Sequence, residues 1–148
     1  MTTIAYDHKT RQIAIDGRSN SSGIIKSESR KKWIIQGKDI WFFAGAHCDI
    51  HDFLCAFDGI KPNRDLDCIS MAVIDGIAYW CGVDNNDGTT WRQPLEDSDA
   101  VGSGQQFALA ALDFGKSAKG AVEYAATRDC YTGGKISVYD IALGSFIE

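Results

Sequence analysis

Three times in this 148-residue chain a short apolar run is followed, across a tight turn, by a second apolar run. The clearest case is Asp75-Gly76, which separates residues 67–74 from 77–83. Asp-Gly supplies the two positive-φ positions that a two-residue hairpin turn demands, so the dipeptide between two apolar runs is the strongest short hairpin signal available. Gly37-Lys38 joins 32–36 to 39–44 in the same way, and the aromatics of Ile40-Trp41-Phe42-Phe43 suit a strand that packs on both faces. Residues 2–7 and 12–17 form a third pair across Lys9-Thr10, with alternation in Gln12-Ile13-Ala14-Ile15-Asp16. Hairpins of this kind build antiparallel sheets.

Helical spacing appears in three places. In 49–57, Ile50, Phe53, Leu54 and Phe57 recur on one face and Gly59 is a fitting stop, which predicts a short amphipathic helix. Residues 105–114 read as a buried helix entered through Gly102-Ser103-Gly104. Ser117 is a natural N-cap for a helix over 118–128, with Ala121, Val122, Ala125 and Ala126 inward. Gly133-Gly134 then breaks the pattern before a last strand over 135–143. The polar stretch from Arg18 to Arg30 reads as a loop, and Asp84-Asn85-Asn86-Asp87-Gly88 as a turn cluster. Hairpins, two helices and a strand make an α+β chain, undivided by any linker or repeat: one domain over 1–148.

Composition narrows the function. Hydrophobic residues make up 45% and charged residues 24%, with a net charge of −5, which is ordinary globular chemistry and a poor match for nucleic-acid binding. No apolar run reaches the roughly 20 residues that span a bilayer, and no charged-then-apolar leader opens the sequence. The expectation is a soluble, cytoplasmic protein whose five cysteines are reduced thiols. His47, His51 and Cys55 share a helical face and their chemistry suits zinc, but Cys48 points elsewhere and reduced cysteines are commonly core residues. No metal and no cofactor is therefore expected.

Four pieces, in this order and spacing, carry a resemblance. They are the start Met1-Thr2-Thr3-Ile4-Ala5; Asp16-Gly17 with Arg30-Lys31-Lys32; Phe43-Ala44-Gly45-Ala46; and Ala100-Val101-Gly102-Ser103-Gly104 with Arg128-Asp129-Cys130-Tyr131-Thr132-Gly133-Gly134. Together they resemble the β-subunits of the proteasome and their bacterial relative, the HslV peptidase, which are N-terminal-nucleophile hydrolases. The resemblance implies a four-layer αββα sandwich, trimmed here in the middle: where the family has two long helices, this chain has one short helix and the Pro62 loop.

It also implies a threonine-type endopeptidase acting on polypeptide through Thr2 after removal of Met1. A hydroxyl is a poor nucleophile until a base takes its proton, and a free α-amine of pKa about 8 on the same residue supplies that base. In family terms Lys32 is the buried lysine, Asp16 its carboxylate partner, and Ser103 and Asp129 the groups that orient the terminal amine. Thr132 matches a supporting hydroxyl, the Gly45 N–H an oxyanion donor, and Phe43 the floor of the specificity pocket.

Aligned without a gap on Ile4-Ala5-Tyr6, Met1 falls on the nucleophile position and Thr2 on the next. Activity then requires both Met1 removal and a one-residue adjustment, such as a bulge, in the first strand. A chain that keeps Met1 would instead be a catalytically silent, structural or regulatory subunit; an N-terminal-nucleophile amidase acting on a small molecule is a third reading. The partners implied are a homo-oligomeric ring and an ATP-dependent unfoldase, with no nucleic acid and no membrane.

Overall fold

The computed structural model describes residues 2–148. Along the chain the strands are β1 (Thr3–Asp7), β2 (Gln12–Ile15), β3 (Ser19–Ser21), β4 (Ile24–Ser27), β5 (Trp33–Gln36) and β6 (Asp39–Gly45). A single 3₁₀ turn (His47–Asp49) leads into α1 (Ile50–Phe57), followed by β7 (Cys68–Ile74), β8 (Ile77–Val83), β9 (Thr90–Pro94) and β10 (Asp99–Gly102). The chain finishes with α2 (Gln105–Asp113), α3 (Ala118–Ala126), β11 (Ser137–Asp140) and β12 (Ser145–Phe146).

Two five-stranded antiparallel sheets result, ordered β10-β1-β2-β11-β12 and β5-β6-β7-β8-β9. Their facing sides share one apolar interface, in which Ile4, Tyr6, Ile13 and Ile15 of the first sheet meet Ile40, Phe42, Met71 and Val73 of the second. Strand alternation sends the intervening residues outward, where each sheet meets helices. Trp41, Phe43, Ala72 and Cys81 pack under Ile50 and Phe53 of α1. On the other side, Ala5, Ala14 and Ala100 pack under Ala108, Ala111, Ala118, Ala121 and Ala125 of α2 and α3. Small residues on both sides let these helices lie close to the sheet.

The three hairpins form with the turns read from the sequence, and Asp75 and Gly76 both take positive φ, 51° and 74°. Ser117 caps α3 through the Gly120 N–H at 3.1 Å. Elsewhere the structure departs from expectation. The stretch 18–30 is not a loop: β3 and β4 pair across Ser22-Gly23, both at positive φ. Their residues are exposed or half-buried and mostly polar, so no apolar alternation announced them.

The edge strand β9 was hidden for the same reason, every one of its residues being exposed. The four-residue β10 and two-residue β12 are too short to leave a pattern. Nor is α2 buried all round: Ala108 and Ala111 are buried and Phe107 and Leu112 partly so, while Leu109 and Ala110 face outward. The strand expected over 135–143 is confined to Ser137–Asp140, and α3 stops at Ala126. No helix among the described residues is long and apolar enough to cross a membrane.

Candidate active site

Thr2 lies immediately before β1 and is 1% exposed. Its carbonyl accepts the Ser103 N–H at 2.8 Å, which stitches it to the residue after β10. Its hydroxyl donates to Asp16 Oδ1 and accepts from Lys32 Nζ. No bulge interrupts β1, whose pairing with β2 and β10 is regular from Ile4 onward. The one-residue adjustment expected from the gapless alignment is therefore absent: the residue before the strand already turns its hydroxyl toward Lys32. Met1, assigned to the nucleophile position by that alignment, lies outside the described residues.

Asp16 follows β2 and is buried beneath Thr2. Besides the Thr2 hydroxyl, Oδ1 accepts the Thr3 N–H at 3.1 Å and Lys32 Nζ at 2.9 Å. Oδ2 accepts the Gly133 N–H at 2.9 Å and the Arg18 N–H at 3.3 Å. A buried carboxylate needs this many donors to replace its lost hydration. Lys32, just before β5 and 7% exposed, spends a further donor on the Arg18 carbonyl at 2.9 Å. Burial pulls the Lys32 ammonium below its ordinary pKa, the Asp16 charge and hydrogen bond oppose that fall, and the nearby Arg30 charge adds to it.

A second group sits behind the first. Ser103 Oγ donates to Asp129 Oδ2 at 2.5 Å, Thr132 Oγ1 donates to the same oxygen at 2.6 Å, and Thr132 Oγ1 lies 2.7 Å from Thr3 Oγ1. Burial alone would raise the Asp129 carboxyl, but the two hydroxyls and the Tyr131 N–H hold it below its usual value. Asp129 and Thr132 both lie in the turn after α3, which brings the Thr132 hydroxyl onto the Asp129 carboxylate three residues back.

Gly45 and Phe43, at the end of β6, form the far wall of a solvent-open cavity of about 140 Å³ that Thr2 and Lys32 also line. Gly45 takes φ +119°, and its Cα lies against the Asp67 backbone so closely that a Cβ has no room. Phe43 is buried edge-on to Phe53 of α1, with ring centroids 5.8 Å apart, so α1 backs this wall.

The structure thus gathers Thr2, Asp16 and Lys32 into one hydrogen-bonded cluster and joins Ser103, Asp129 and Thr132 to it through Thr2 and Thr3. Gly45 and Phe43 face the cluster across the cavity. Sequence reasoning assigned no role to Thr3, whose amide and hydroxyl bridge the two groups, or to Gly133, whose N–H binds Asp16. It also missed the Arg18 backbone, which contacts both Asp16 and Lys32. Thr3 left a trace in the Thr-Thr pair and Gly133 in the Thr132-Gly133-Gly134 run, whereas the Arg18 backbone left none. Among the described residues no cluster of three or more His, Cys, Asp or Glu is placed to hold a metal. His51 Nε2 and Cys55 Sγ meet alone, at 3.6 Å.

Several solved structures share this fold. HslV from Trypanosoma brucei matches with a TM-score of 0.71 at 18% identity, over 93% of this chain and 98% of that one. BPH of Thiobacillus denitrificans, in complex with Epoxomicin, matches at 0.72 and 17% identity, over 93% and 97% of the two chains. A further structure of that BPH matches at 0.69 and 18%, over 93% and 96%. No protein-family model and no curated protein matches the chain. The chain has the fold of the HslV-type peptidases, and the resemblance read from its sequence is met at that level.

Proposed function

We propose that the chain is a threonine-type endopeptidase whose nucleophile is the Thr2 hydroxyl once Met1 has been removed. One observation carries the reading: a buried threonine at the head of the first strand shares its hydroxyl with a buried lysine–aspartate pair at the floor of an open cavity. A structural threonine has no need of an ammonium beside it.

The freed α-amine takes the hydroxyl proton while Oγ1 attacks the substrate carbonyl carbon, forming the C–O bond. The oxyanion meets the Gly45 N–H at the cavity wall. The C–N bond then breaks, and the leaving amine takes the proton from the α-ammonium. Water, deprotonated by the same amine, hydrolyses the ester. Lys32 keeps positive charge at the hydroxyl and lowers the proton affinity of the amine; Asp16 anchors Lys32. Ser103 and Asp129 orient the amine, and Thr132 steadies Asp129.

In this reading the stacked helices and sheets are a four-layer αββα sandwich in a cytosolic protein. Polypeptide is the substrate, and a homo-oligomeric ring fed by an unfoldase confines the reaction. The uncovered Leu109 and Phe114 of the outer helical layer support self-association.

The test uses purified protein whose intact mass shows Met1 absent. Exposure to Epoxomicin, the ligand of the Thiobacillus denitrificans BPH complex, should add its mass to the peptide that begins at Thr2, and the protein should degrade an unfolded polypeptide. Thr2→Ala should abolish both. Processed protein that gains no adduct and cleaves nothing would overturn the assignment. Protein that keeps Met1 and is inert would place the chain among silent subunits.

A further inference from the structure

We infer that the cavity beside Thr2 selects a side chain bearing a carboxylate next to the bond it acts on, with the Arg30 guanidinium as the specificity-determining group; this rests on the peptidase reading above. Of the residues lining the cavity, three carry formal positive charge (Arg18, Arg30 and Lys32) and none is an aspartate or glutamate.

Two of the three cations are already matched. Asp16 holds Lys32 at 2.9 Å, and Glu28 holds Arg18 through two hydrogen bonds of 2.8 and 3.1 Å. Arg30 is not: its backbone N–H is pinned to the Gly17 carbonyl at 2.9 Å, while its exposed guanidinium has no hydrogen bond or ion pair among the described residues. It lies near enough to Lys32 to disfavour that ammonium, which places its charge within reach of the cavity. Cys68 adds no compensating anion, because burial pushes its thiol up to about 12 and keeps it neutral.

Size and wall chemistry fit the same class. A cavity near 140 Å³ takes a group of about six heavy atoms, enough for the arm of glutamate. Phe43 and Ile50 give its methylenes an apolar wall, and Arg30 gives its carboxylate a forked donor. Ser19 Oγ, buried in the wall with no partner among the described residues, is a spare donor. A lysine or arginine side chain entering the cavity would meet only like charge.

Two measurements separate this selection from the peptidase reading itself. The first is hydrolysis by processed wild-type protein of fluorogenic Ac-Ala-Ala-Xaa amides, with Xaa Glu, Gln, Leu or Lys. The second is binding of the matching non-cleavable peptide amides to Thr2→Ala protein, followed by NMR titration. Glu should exceed Gln about tenfold in kcat/KM and in affinity, a margin typical of a charge-assisted pair. That margin should shrink as salt is raised.

Arg30→Gln should bring Glu and Gln within about twofold, and Arg30→Lys should restore part of the difference. Arg30 is exposed, so unchanged thermal melts would show that these variants fold. Equal treatment of Glu and Gln by the wild-type cavity, or an unchanged preference in Arg30→Gln, overturns the inference. Discrimination in binding with no hydrolysis of any substrate keeps the subsite and sinks the peptidase; hydrolysis without discrimination does the reverse.

Discussion

Lys32 is buried against a hydroxyl and a carboxylate, and in the proposed mechanism its charge state governs what Thr2 can do. In that mechanism the α-amine must be neutral to accept a proton, which sets an acid limb near the ordinary amine value of about 8, lowered further by the ammonium beside it. Lys32 must stay charged, and burial has moved its titration below the ordinary 10.5. The pH profile of kcat/KM should therefore be a bell whose alkaline limb lies under 10.5. Lys32→Ala should lower kcat at least about 100-fold while the protein still folds, as steady-state rates and a thermal melt would show.

Asp129 makes the opposite kind of statement. Its folded pKa is below the ordinary 3.8, so its contribution to stability is complete above that value and is lost as pH falls through the lower folded one. Asp129→Asn should cost about 1–3 kcal/mol at neutral pH, read from urea unfolding, because the Ser103 and Thr132 hydroxyls lose their anionic acceptor. The gap from wild type should close in strong acid, where both side chains are neutral.

Among the elements, those with two-sided apolar demand were readable in advance. The strands on both sides of Asp75-Gly76, and Asp39–Gly45 after Gly37-Lys38, form the second sheet's side of the interface, so their inward residues had to be apolar and their turns had to allow positive φ. Burial left its mark on the letters. Strands with no buried residue, such as Thr90–Pro94 and the Ser19–Ser21/Ile24–Ser27 hairpin, put no such requirement on their side chains and stayed silent. The site divides in the same way. Thr2, Asp16 and Lys32 act through side chains that only certain residue types supply, whereas Gly133 and Arg18 act through backbone groups that every sequence carries. The alanine-lined seam under α2 and α3 offers a direct check: Ala121 is fully buried there, and Ala121→Leu should overpack it at about 1–3 kcal/mol, seen as a lower midpoint in thermal or urea unfolding.

At the scale of the molecule, the outer helical layer is unevenly finished. Phe114, at the end of α2, is 91% exposed and Leu109 is 37% exposed. Exposed large apolar groups on one layer are the ordinary signature of an interface. The protein should sediment as an assembly, and the pair Leu109→Ser with Phe114→Ser should shift it toward smaller species without lowering the melt. An unchanged mass distribution would place the contact elsewhere.

The way the first strand is fastened has its own consequence. Ser103 grips the Thr2 carbonyl, Asp16 takes the Thr3 amide, and Thr132 meets the Thr3 hydroxyl. Every one of these ties lies on the downstream side of the bond that an aminopeptidase would cut to release Met1. For the proposed peptidase, maturation would then be a trimming and not a rearrangement: the new chain end would inherit a berth made for it, and no described segment would have to travel before the first turnover.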